Sequence, residues 1–164
     1  AGGSFPVEAV SIMARICIEA ESVIDYNQVY MSIRAGTLSR DDEMSIPESV
    51  CSSAVKAAID TKAALIIALT ETGSTARQIA KYRPAVGILA LSATESSVKH
   101  LAIQRGVTSL QVPSFQGTDH VLKGAMDTAK DCGLVKVGDK VVCVHGMKEE
   151  VSGHSNLLKI VTVQ

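Results

Sequence analysis

Short apolar runs alternate with segments of helical periodicity through the middle of the chain. The runs cover residues 64–69, 86–91 and 107–112, and the helical segments fall near 74–82, 94–105 and 119–132. Runs that are apolar on both faces and separated by helices are typical of parallel strands with helices packed on both sides. We expect Ser92 and Glu95 to cap the second of these helices and Gly133 to end the third. The pattern predicts a layered α/β domain.

The C-terminal part of the chain breaks this alternation. Residues 137–139 (VGD) form a turn signal before an apolar run at 140–145, and a last strand-like run covers 157–163. Only the polar segment 146–156 separates these runs, so a hairpin is expected in place of a helical crossover. The predicted fold class is α/β: a three-layer α/β/α domain with a mostly parallel five-stranded sheet and an antiparallel C-terminal edge strand, preceded by helices.

Two helices are predicted before this domain. Residues 6–21 begin with Pro6 and Glu8, which both suit a first helical turn. This helix is apolar nearly all round, and such a helix needs partners on several faces. A second helix is predicted over 24–35, ending before Gly36.

The polar residues 37–45 are the predicted connector to the α/β domain. Ser45 and Glu48 have the spacing of a capping box, with Pro47 in the first turn, so a helix is expected from here to about Lys62. The N-terminal sequence AGGS does not begin with methionine. We therefore expect the chain to be part of a longer protein.

Composition and charge narrow the range of partners. Hydrophobic residues make up 46% and aromatic residues 3%, with no Trp, so the core must consist mainly of Ala, Val, Ile and Leu. The formal net charge of -1 argues against non-specific electrostatic binding to nucleic acid or to an anionic membrane. The longest apolar run, 63–69, is far shorter than the ~20 residues of a membrane span. We expect neither nucleic acid nor a membrane as a partner.

The junction from Thr70 to Thr75 is the most informative segment for function. It joins a buried strand to a helix, and open α/β folds bind ligands at this edge of the sheet. Backbone N–H groups at a helix start, together with hydroxyl side chains and Gly73, can hold a phosphate, although neither GxxxxGK[ST] nor GxGxxG occurs. Glu71 argues against an anion, because a carboxylate ~4 Å from a phosphate costs ~1–4 kcal/mol. A phosphate site and a hydroxyl-capped helix start without a ligand both stay open.

The remaining chemistry-bearing residues are scattered along the chain. Neither the histidines nor the cysteines have the spacing of metal ligands, and we expect the cysteines to be reduced and mostly buried. These residues are His100, His120, His145, His154, Cys17, Cys51, Cys132 and Cys143. No GxSxG elbow occurs, and no acid–base constellation emerges. We expect no catalytic residue and no metal site, so that the chain alone does not catalyse a reaction.

Four segments of the sequence resemble the C-terminal region of pyruvate kinase. Residues 68–76 and their continuation at 80–84 (AKYRP) resemble the effector-loop region of that enzyme, and residues 5–21 (FPVEAVSIMARICIEAE) resemble the last helix of its catalytic barrel. Residues 52–58 (SSAVKAA) and 133–139 also fit this family. The resemblance covers essentially the whole chain, and the combined motifs are specific.

The resemblance implies a phosphotransferase whose (β/α)8 barrel binds phosphoenolpyruvate, Mg²⁺ and K⁺, with a lid domain that closes over the nucleotide. Residues 1–22 would be the last barrel helix, 23–45 a helix and connector, and 46–164 the C-terminal α/β domain. The family's catalytic residues lie upstream, so no cofactor is expected within this chain, and the fragment alone is expected to be inactive. Its implied partners are the barrel and lid domains and further copies in a cytoplasmic homotetramer.

Many eukaryotic members bind a sugar bisphosphate at the junction described above. Carried over to this sequence, the effector phosphate site comprises Thr70, Glu71, Thr72, Gly73, Ser74, Thr75, Lys148 and Gly153. Glu71 stands where responsive forms carry lysine, Val121 stands where a phosphate-binding arginine is expected, and residues 112–117 lack the family's tryptophan. The loop 146–154 also adds two acids. We therefore expect fructose bisphosphate to bind poorly, whereas a monophosphate sugar stays a candidate effector.

Three functions stay open from the sequence. The first is a regulatory and subunit-contact domain of pyruvate kinase with a degenerate sugar-phosphate effector loop. The second is a purely structural oligomerisation domain whose effector loop is empty. The third is a stand-alone phosphate- or nucleotide-binding module. The lack of a glycine fingerprint and of a ribose-binding acid argues against this third function.

Overall fold

The structure is a computed structural model that describes residues 2–41, 43–146 and 155–164, without the side chains of residues 41 and 155. Its helices are α1 (Pro6–Ser22), α2 (Tyr26–Asp41), α3 (Ile46–Thr61), α4 (Ser74–Lys81), α5 (Glu95–Leu101) and α6 (Thr118–Asp131). Its strands are β1 (Leu65–Leu69), β2 (Gly87–Ser92), β3 (Val107–Gln111), β4 (Lys140–Gly146) and β5 (Ser155–Thr162).

All five strands form one sheet in the order β3-β2-β1-β4-β5. The pairs β1–β2, β1–β4 and β2–β3 are parallel, whereas β4–β5 is antiparallel. This confirms the predicted mostly parallel sheet with an antiparallel C-terminal edge strand. The carboxyl end of β1 lies where the strand order changes direction, which is the position at which doubly wound folds bind ligands.

The handedness of the crossovers decides which helix covers which face of the sheet. The chain passes from β1 to β2 to β3 in one direction, so right-handed connections place α4 and α5 on the same face. It then returns past β2 and β1 to β4, which places α6 on the opposite face. Residues of α3 and α4 pack together in one part of the core, and residues of α6 pack in another. Helices therefore cover both faces of the sheet, which confirms the three predicted layers.

Alternate residues of β1 belong to two separate parts of the core. Ile66 and Ala68 pack with residues of α3 and α4, whereas Ile67 and Leu69 pack with residues of α6. Every residue of β1 is buried. The alternation follows from the geometry of a strand, whose successive side chains point to opposite faces of the sheet.

The second helix differs from the prediction. It does not end before Gly36 but continues to residue 41, through most of the predicted connector 37–45. Tyr30 and Thr37 are buried, and the Thr37 hydroxyl donates to the carbonyl of Ile33 at 3.0 Å. The predicted end at Gly36 was wrong because packing of α2 on the domain outweighs the helix penalty of ~1 kcal/mol for one glycine.

Two predicted helix starts need correction. Ser45 accepts a hydrogen bond from the N–H of Glu48 at 3.4 Å, as expected for a cap, but the Glu48 carboxylate bonds to Lys81 and Tyr82 instead of completing a capping box. Helix α5 has Thr94 at its N-cap, without a side-chain cap, and Ser92 lies at the end of β2. It is also shorter than the predicted helix 94–105.

The cysteines divide into two groups. Cys51 and Cys143 are buried, whereas Cys17 and Cys132 are exposed, and all four are free. The prediction that they are mostly buried was therefore wrong for two of them. Cys17 lies on α1, none of whose residues is buried, and Cys132 directly follows α6 at the surface. The apolar pattern around each cysteine predicted burial, but neither segment packs its cysteine into the core.

Helix α1 packs little against the domain. No residue of α1, all of which the structure describes, is buried. Large exposed apolar side chains run along it: Val7, Val10, Ile12, Met13, Ile16 and Ile18. Near its end, Nη2 of Arg105 donates to Oε1 of Glu21 at 2.7 Å and to the hydroxyl of Tyr26 at 3.3 Å. Among the described residues, no helix is long and apolar enough to cross a membrane.

A polar cluster holds α3 against the C-terminal end of α4. The Glu48 carboxylate accepts hydrogen bonds from Nζ of Lys81 and, at 2.8 Å, from the hydroxyl of Tyr82. Burial by itself would raise the pKa of Glu48, but these two hydrogen bonds and the charges of Lys81 and Arg40 together outweigh it and hold that pKa below its ordinary 4.5. Burial and the bond to Glu48 raise the pKa of Tyr82 to about 12.

We expect the free energy of unfolding to fall as the pH drops through the lowered pKa of Glu48. The folded-state pKa lies below the 4.5 of the unfolded chain, so the stabilisation is fully present above that value and is lost on further acidification. The substitution Glu48→Gln removes the titrating group, and the unfolding free energy should then depend less on pH below about 5. Urea unfolding at a series of pH values measures this difference.

The exposed carboxylate of Glu43 provides the matched control. Glu43→Gln should leave the pH dependence of unfolding unchanged. If Glu48→Gln also left it unchanged, the stabilising role given to Glu48 would be wrong.

Candidate functional site

The segment between β1 and α4 lies at the carboxyl edge of the sheet. The N–H of Thr70 donates to the carbonyl of Leu91 at 2.9 Å, which continues the pairing of β1 with β2 by one residue. Thr70 itself is buried. Because β1 has a neighbour on each side, the residues that follow it emerge between the ends of β2 and β4.

Gly73 shapes the turn into α4. Its φ of +79° lies in the left-handed region, and it is the N-cap of α4. A Cβ at this position would lie 3.0 Å from Nη1 of Arg77 and 3.2 Å from Cδ2 of Leu101. Both the backbone conformation and the available space therefore favour glycine here.

Arg77 places a positive charge beside this turn. Its N–H donates to the carbonyl of Gly73 at 3.0 Å, and its Nη1 donates to the carbonyl of Thr72 at 3.1 Å. The side chain reaches back because helical side chains lean toward the N-terminus. The start of α4 thus combines the partial positive charge of a helix N-terminus with an exposed guanidinium.

Glu71 connects the turn to the segment between β2 and α5. Its carbonyl accepts hydrogen bonds from the hydroxyls of Ser92 at 3.1 Å and Ser97 at 2.8 Å. Its carboxylate Oε1 accepts from the hydroxyl of Thr94 at 3.3 Å. Three hydroxyl groups from a neighbouring segment therefore hold this one residue in place.

Two buried oxygen atoms at the turn have no hydrogen-bond partner within the part of the chain that the structure describes. They are Oγ1 of Thr70 and Oε2 of Glu71. Such atoms are uncommon, since nearly all buried polar groups are paired. The Thr70 hydroxyl can donate to an anion, whereas the Glu71 carboxylate can only accept and would repel one.

Most of the predicted site residues lie together. Six of them form one continuous strand–turn–helix segment: Thr70, Glu71, Thr72, Gly73, Ser74 and Thr75. Lys148 and Gly153, with most of the predicted loop 146–154, lie outside the described residues. Val121 on α6 is half-buried and packs against the α6 part of the core.

Sequence reasoning missed four residues of this site. Arg77 lies one helical turn after Gly73, a spacing that brings the two together. Ser92 ends β2, so its position at the carboxyl edge of the sheet could have indicated it. Thr94 and Ser97 carry no comparable signal, because only the packed position of α5 brings their hydroxyls to Glu71.

The described groups of the turn can bind an anion or can hold the turn in place through their own hydrogen bonds. Elsewhere, burial raises the pKa of Cys51 to about 12 and that of Cys143 to about 11, which disfavours the reactive thiolate. No group of three or more His, Cys, Asp or Glu residues that could hold a metal ion occurs among the described residues.

Comparison with known proteins gives consistent matches. Residues 48–161 match a family described as "Pyruvate kinase, alpha/beta domain". The whole chain is 52% identical to pyruvate kinase from Eimeria tenella, of which it covers 30%. It is 39% identical over its full length to the cytosolic isozyme of pyruvate kinase from Nicotiana tabacum, of which it covers 34%.

A solved structure of a pyruvate kinase from Cryptosporidium parvum has the same fold. It superposes with a TM-score of 0.89 at 39% sequence identity and covers 100% of this chain and 31% of that chain. The chain thus spans about a third of the length of the relatives that it matches.

Replacing Gly73 should destabilise the protein. Gly73→Ala places a Cβ in a left-handed conformation against Arg77 and Leu101, and we expect the free energy of unfolding to fall by roughly 1–3 kcal/mol. The matched control is Gly36→Ala, in the middle of α2, where no atom lies within 4 Å of the added Cβ. This control should raise stability by about 0.5–1 kcal/mol. Denaturant unfolding of both variants measures the difference, and equal effects would contradict the geometry described for Gly73.

Proposed function

The chain belongs to the pyruvate kinase family, and from this membership we propose that it is the C-terminal regulatory and subunit-contact domain of an enzyme that transfers phosphate from phosphoenolpyruvate to ADP. The products of that reaction are pyruvate and ATP. The similarity to pyruvate kinases along the whole chain carries the proposal. Because the chain spans about a third of those proteins, the activity is proposed for the whole enzyme.

The exposed surface of α1 supports the first boundary of the proposed division of the chain. Residues 1–22 would be the last helix of the (β/α)8 barrel, which accords with the exposed apolar surface of α1. Residues 23–45 would form a helix and connector, and residues 46–164 the C-terminal α/β domain. The partners would be the barrel and lid domains of the same protein and further copies in a homotetramer. We propose a cytoplasmic location, since the relative from Nicotiana tabacum is named a cytosolic isozyme.

Mg²⁺ and K⁺ are proposed as cofactors of the parent enzyme. The described residues offer no cluster of acids, histidines or cysteines that fits a metal ion. The groups that bind these ions and phosphoenolpyruvate would therefore belong to the barrel.

The isolated chain should not transfer phosphate. In a coupled assay that contains phosphoenolpyruvate, ADP, Mg²⁺ and K⁺, we expect no turnover above the buffer blank, because the chain brings together no acid–base or metal-binding groups in its described part. A complete pyruvate kinase assayed in parallel is the positive control. Turnover by the purified 164-residue chain would overturn this part of the proposal.

The turn from Thr70 to Thr75 is proposed as a degenerate effector site for a monophosphorylated sugar. The start of α4, the hydroxyl of Thr70 and the guanidinium of Arg77 are groups that attract a phosphate. The Glu71 carboxylate opposes a second phosphate, which is why fructose bisphosphate is expected to bind poorly. Lys148 and Gly153 would complete the site from the loop that follows β4.

The second candidate function is a purely structural domain. It is favoured by the hydrogen bonds that Ser92, Thr94 and Ser97 make to Glu71, because they hold the turn without any ligand. In that case the turn serves only to pack α4 and α5 together, and subunits communicate through the surface of the domain.

Calorimetry of the full-length protein with a sugar monophosphate and with fructose bisphosphate separates these two functions. We expect measurable binding of the monophosphate and little of the bisphosphate. Glu71→Lys replaces a repulsive charge by an attractive one and should strengthen bisphosphate binding by at least about tenfold, equivalent to ~1.4 kcal/mol. Glu43→Lys makes the same charge change at an exposed site away from the turn and is the control.

The outcomes of this experiment point to different conclusions. Micromolar affinity of the unaltered protein for fructose bisphosphate would overturn the proposed specificity. Binding of neither sugar, before and after Glu71→Lys, would favour the structural function.

A further inference from the structure

A cavity of about 360 Å³ lies at the amino edge of the sheet, opposite the turn from Thr70 to Thr75. Its walls come from the first residues of α2, the last two turns of α3 and the segment 84–86. Ala63, two residues before β1, and Val86, directly before β2, form its floor. The cavity is therefore separate from the proposed effector site.

The size and the lining of this cavity suit a small, largely apolar ligand. Val55, Ala58 and Ala63 belong to the buried core, and Ile59, Ala85 and Val86 add further apolar surface. Ligand sites of ~300–1,000 Å³ are commonly lined in this way, with a few polar groups that fix orientation. Since a benzene ring fits an apolar cavity of ~150 Å³, there is room for a ring and a short side chain.

The charged groups around the cavity favour an anionic end on that ligand. Lys62 is the one charged residue that lines the cavity within the described part of the chain, and it makes no ion pair with a described residue. The nearest acid on α3, Asp60, is paired with Lys56 at 2.5 Å. Asp25, before α2, already accepts hydrogen bonds from the backbone N–H groups at the start of that helix.

The backbone at the rim fixes the position of Lys62. Two described residues other than glycine have a positive φ: Lys62 at 51° and Arg83 at 53°. Lys62 ends α3 and lines the cavity, and Arg83 directly precedes its wall 84–86. Such conformations favour glycine, and Lys62 adopts one because it is the left-handed residue that ends α3. Lysine at position 62 thus keeps a positive charge at the mouth in a conformation that glycine would adopt more readily.

The carbonyl end of α3 does not cancel this charge. The N–H of Lys62 donates to the carbonyl of Ile59 at 3.3 Å, and the N–H of Ala63 donates to that of Ala58 at 3.0 Å. Two of the carbonyls that would otherwise attract cations at the helix end are therefore already paired.

We propose that this cavity binds a small aromatic carboxylate, with the ring between α3 and the segment 84–86 and the carboxylate at Lys62. The probe is 3-phenylpropionate, and its neutral isostere 3-phenylpropanamide tests the role of the charge. The methyl groups of Val55, Ile59 and Val86 line the cavity and report binding in the full-length protein by methyl NMR. These resonances should shift at millimolar 3-phenylpropionate, and the amide should bind about tenfold more weakly.

Substitutions separate binding from stability. Lys62→Gln should weaken binding of the acid about tenfold and leave binding of the amide unchanged, whereas Lys136→Gln, at an exposed position elsewhere, should affect neither. Lys62→Gly should also weaken binding while raising the melting temperature, because glycine fits the left-handed conformation. A purely structural Lys62 would give the second effect without the first. Ala85→Trp fills the cavity from an exposed position and should abolish binding, whereas Ala35→Trp, exposed on α2, should not.

Three results would overturn the proposal. They are the absence of shifts at Val55, Ile59 and Val86, equal affinity for the acid and the amide, and unchanged affinity in both Lys62 variants.

Discussion

The double-sided burial of β1 is the constraint on which the rest of the domain depends. A strand that has no exposed residue must have all its backbone groups paired, and β1 meets this requirement with β2 on one side and β4 on the other. Helices must then cover both faces, which they do through right-handed crossovers. The same arrangement places the end of β1 between the ends of β2 and β4. The central position of β1 in the sheet therefore determines where the turn from Thr70 to Thr75 lies.

The turn itself combines features that attract an anion with one that opposes it. The N-terminus of α4 and Arg77 are positive, whereas Glu71 is negative and is fixed by three hydroxyls from the β2–α5 segment. A lysine at position 71 would reverse that balance without changing the backbone. The charge at position 71, with the fold unchanged, therefore changes how strongly this turn attracts or repels an anion.

The sequence predicted the elements that depend on local pattern and failed where packing decides. The apolar runs predicted the five strands that the structure describes, because buried parallel strands form continuous apolar segments, and the short spacing of the last two runs predicted their antiparallel pairing. Gly36 predicts a helix end, but α2 continues past it because Tyr30 and Thr37 are buried against the domain. The turn at Thr70 was found from its hydroxyls and glycine. The contribution of Ser97 could not be found, because it depends on how α5 lies against Glu71.

The bond between Arg105 and Glu21 has a mechanical consequence. It joins α1, which is otherwise exposed, to the residues just after α5. The opposite end of α5 carries Ser97, whose hydroxyl holds the carbonyl of Glu71. A displacement of α1 that moves Arg105 would therefore also move α5. Because Ser97 of α5 is hydrogen-bonded to Glu71, this movement would reach the turn after β1. Because the ion pair is exposed, salt weakens it, and the stiffness of this linkage should decline as ionic strength rises.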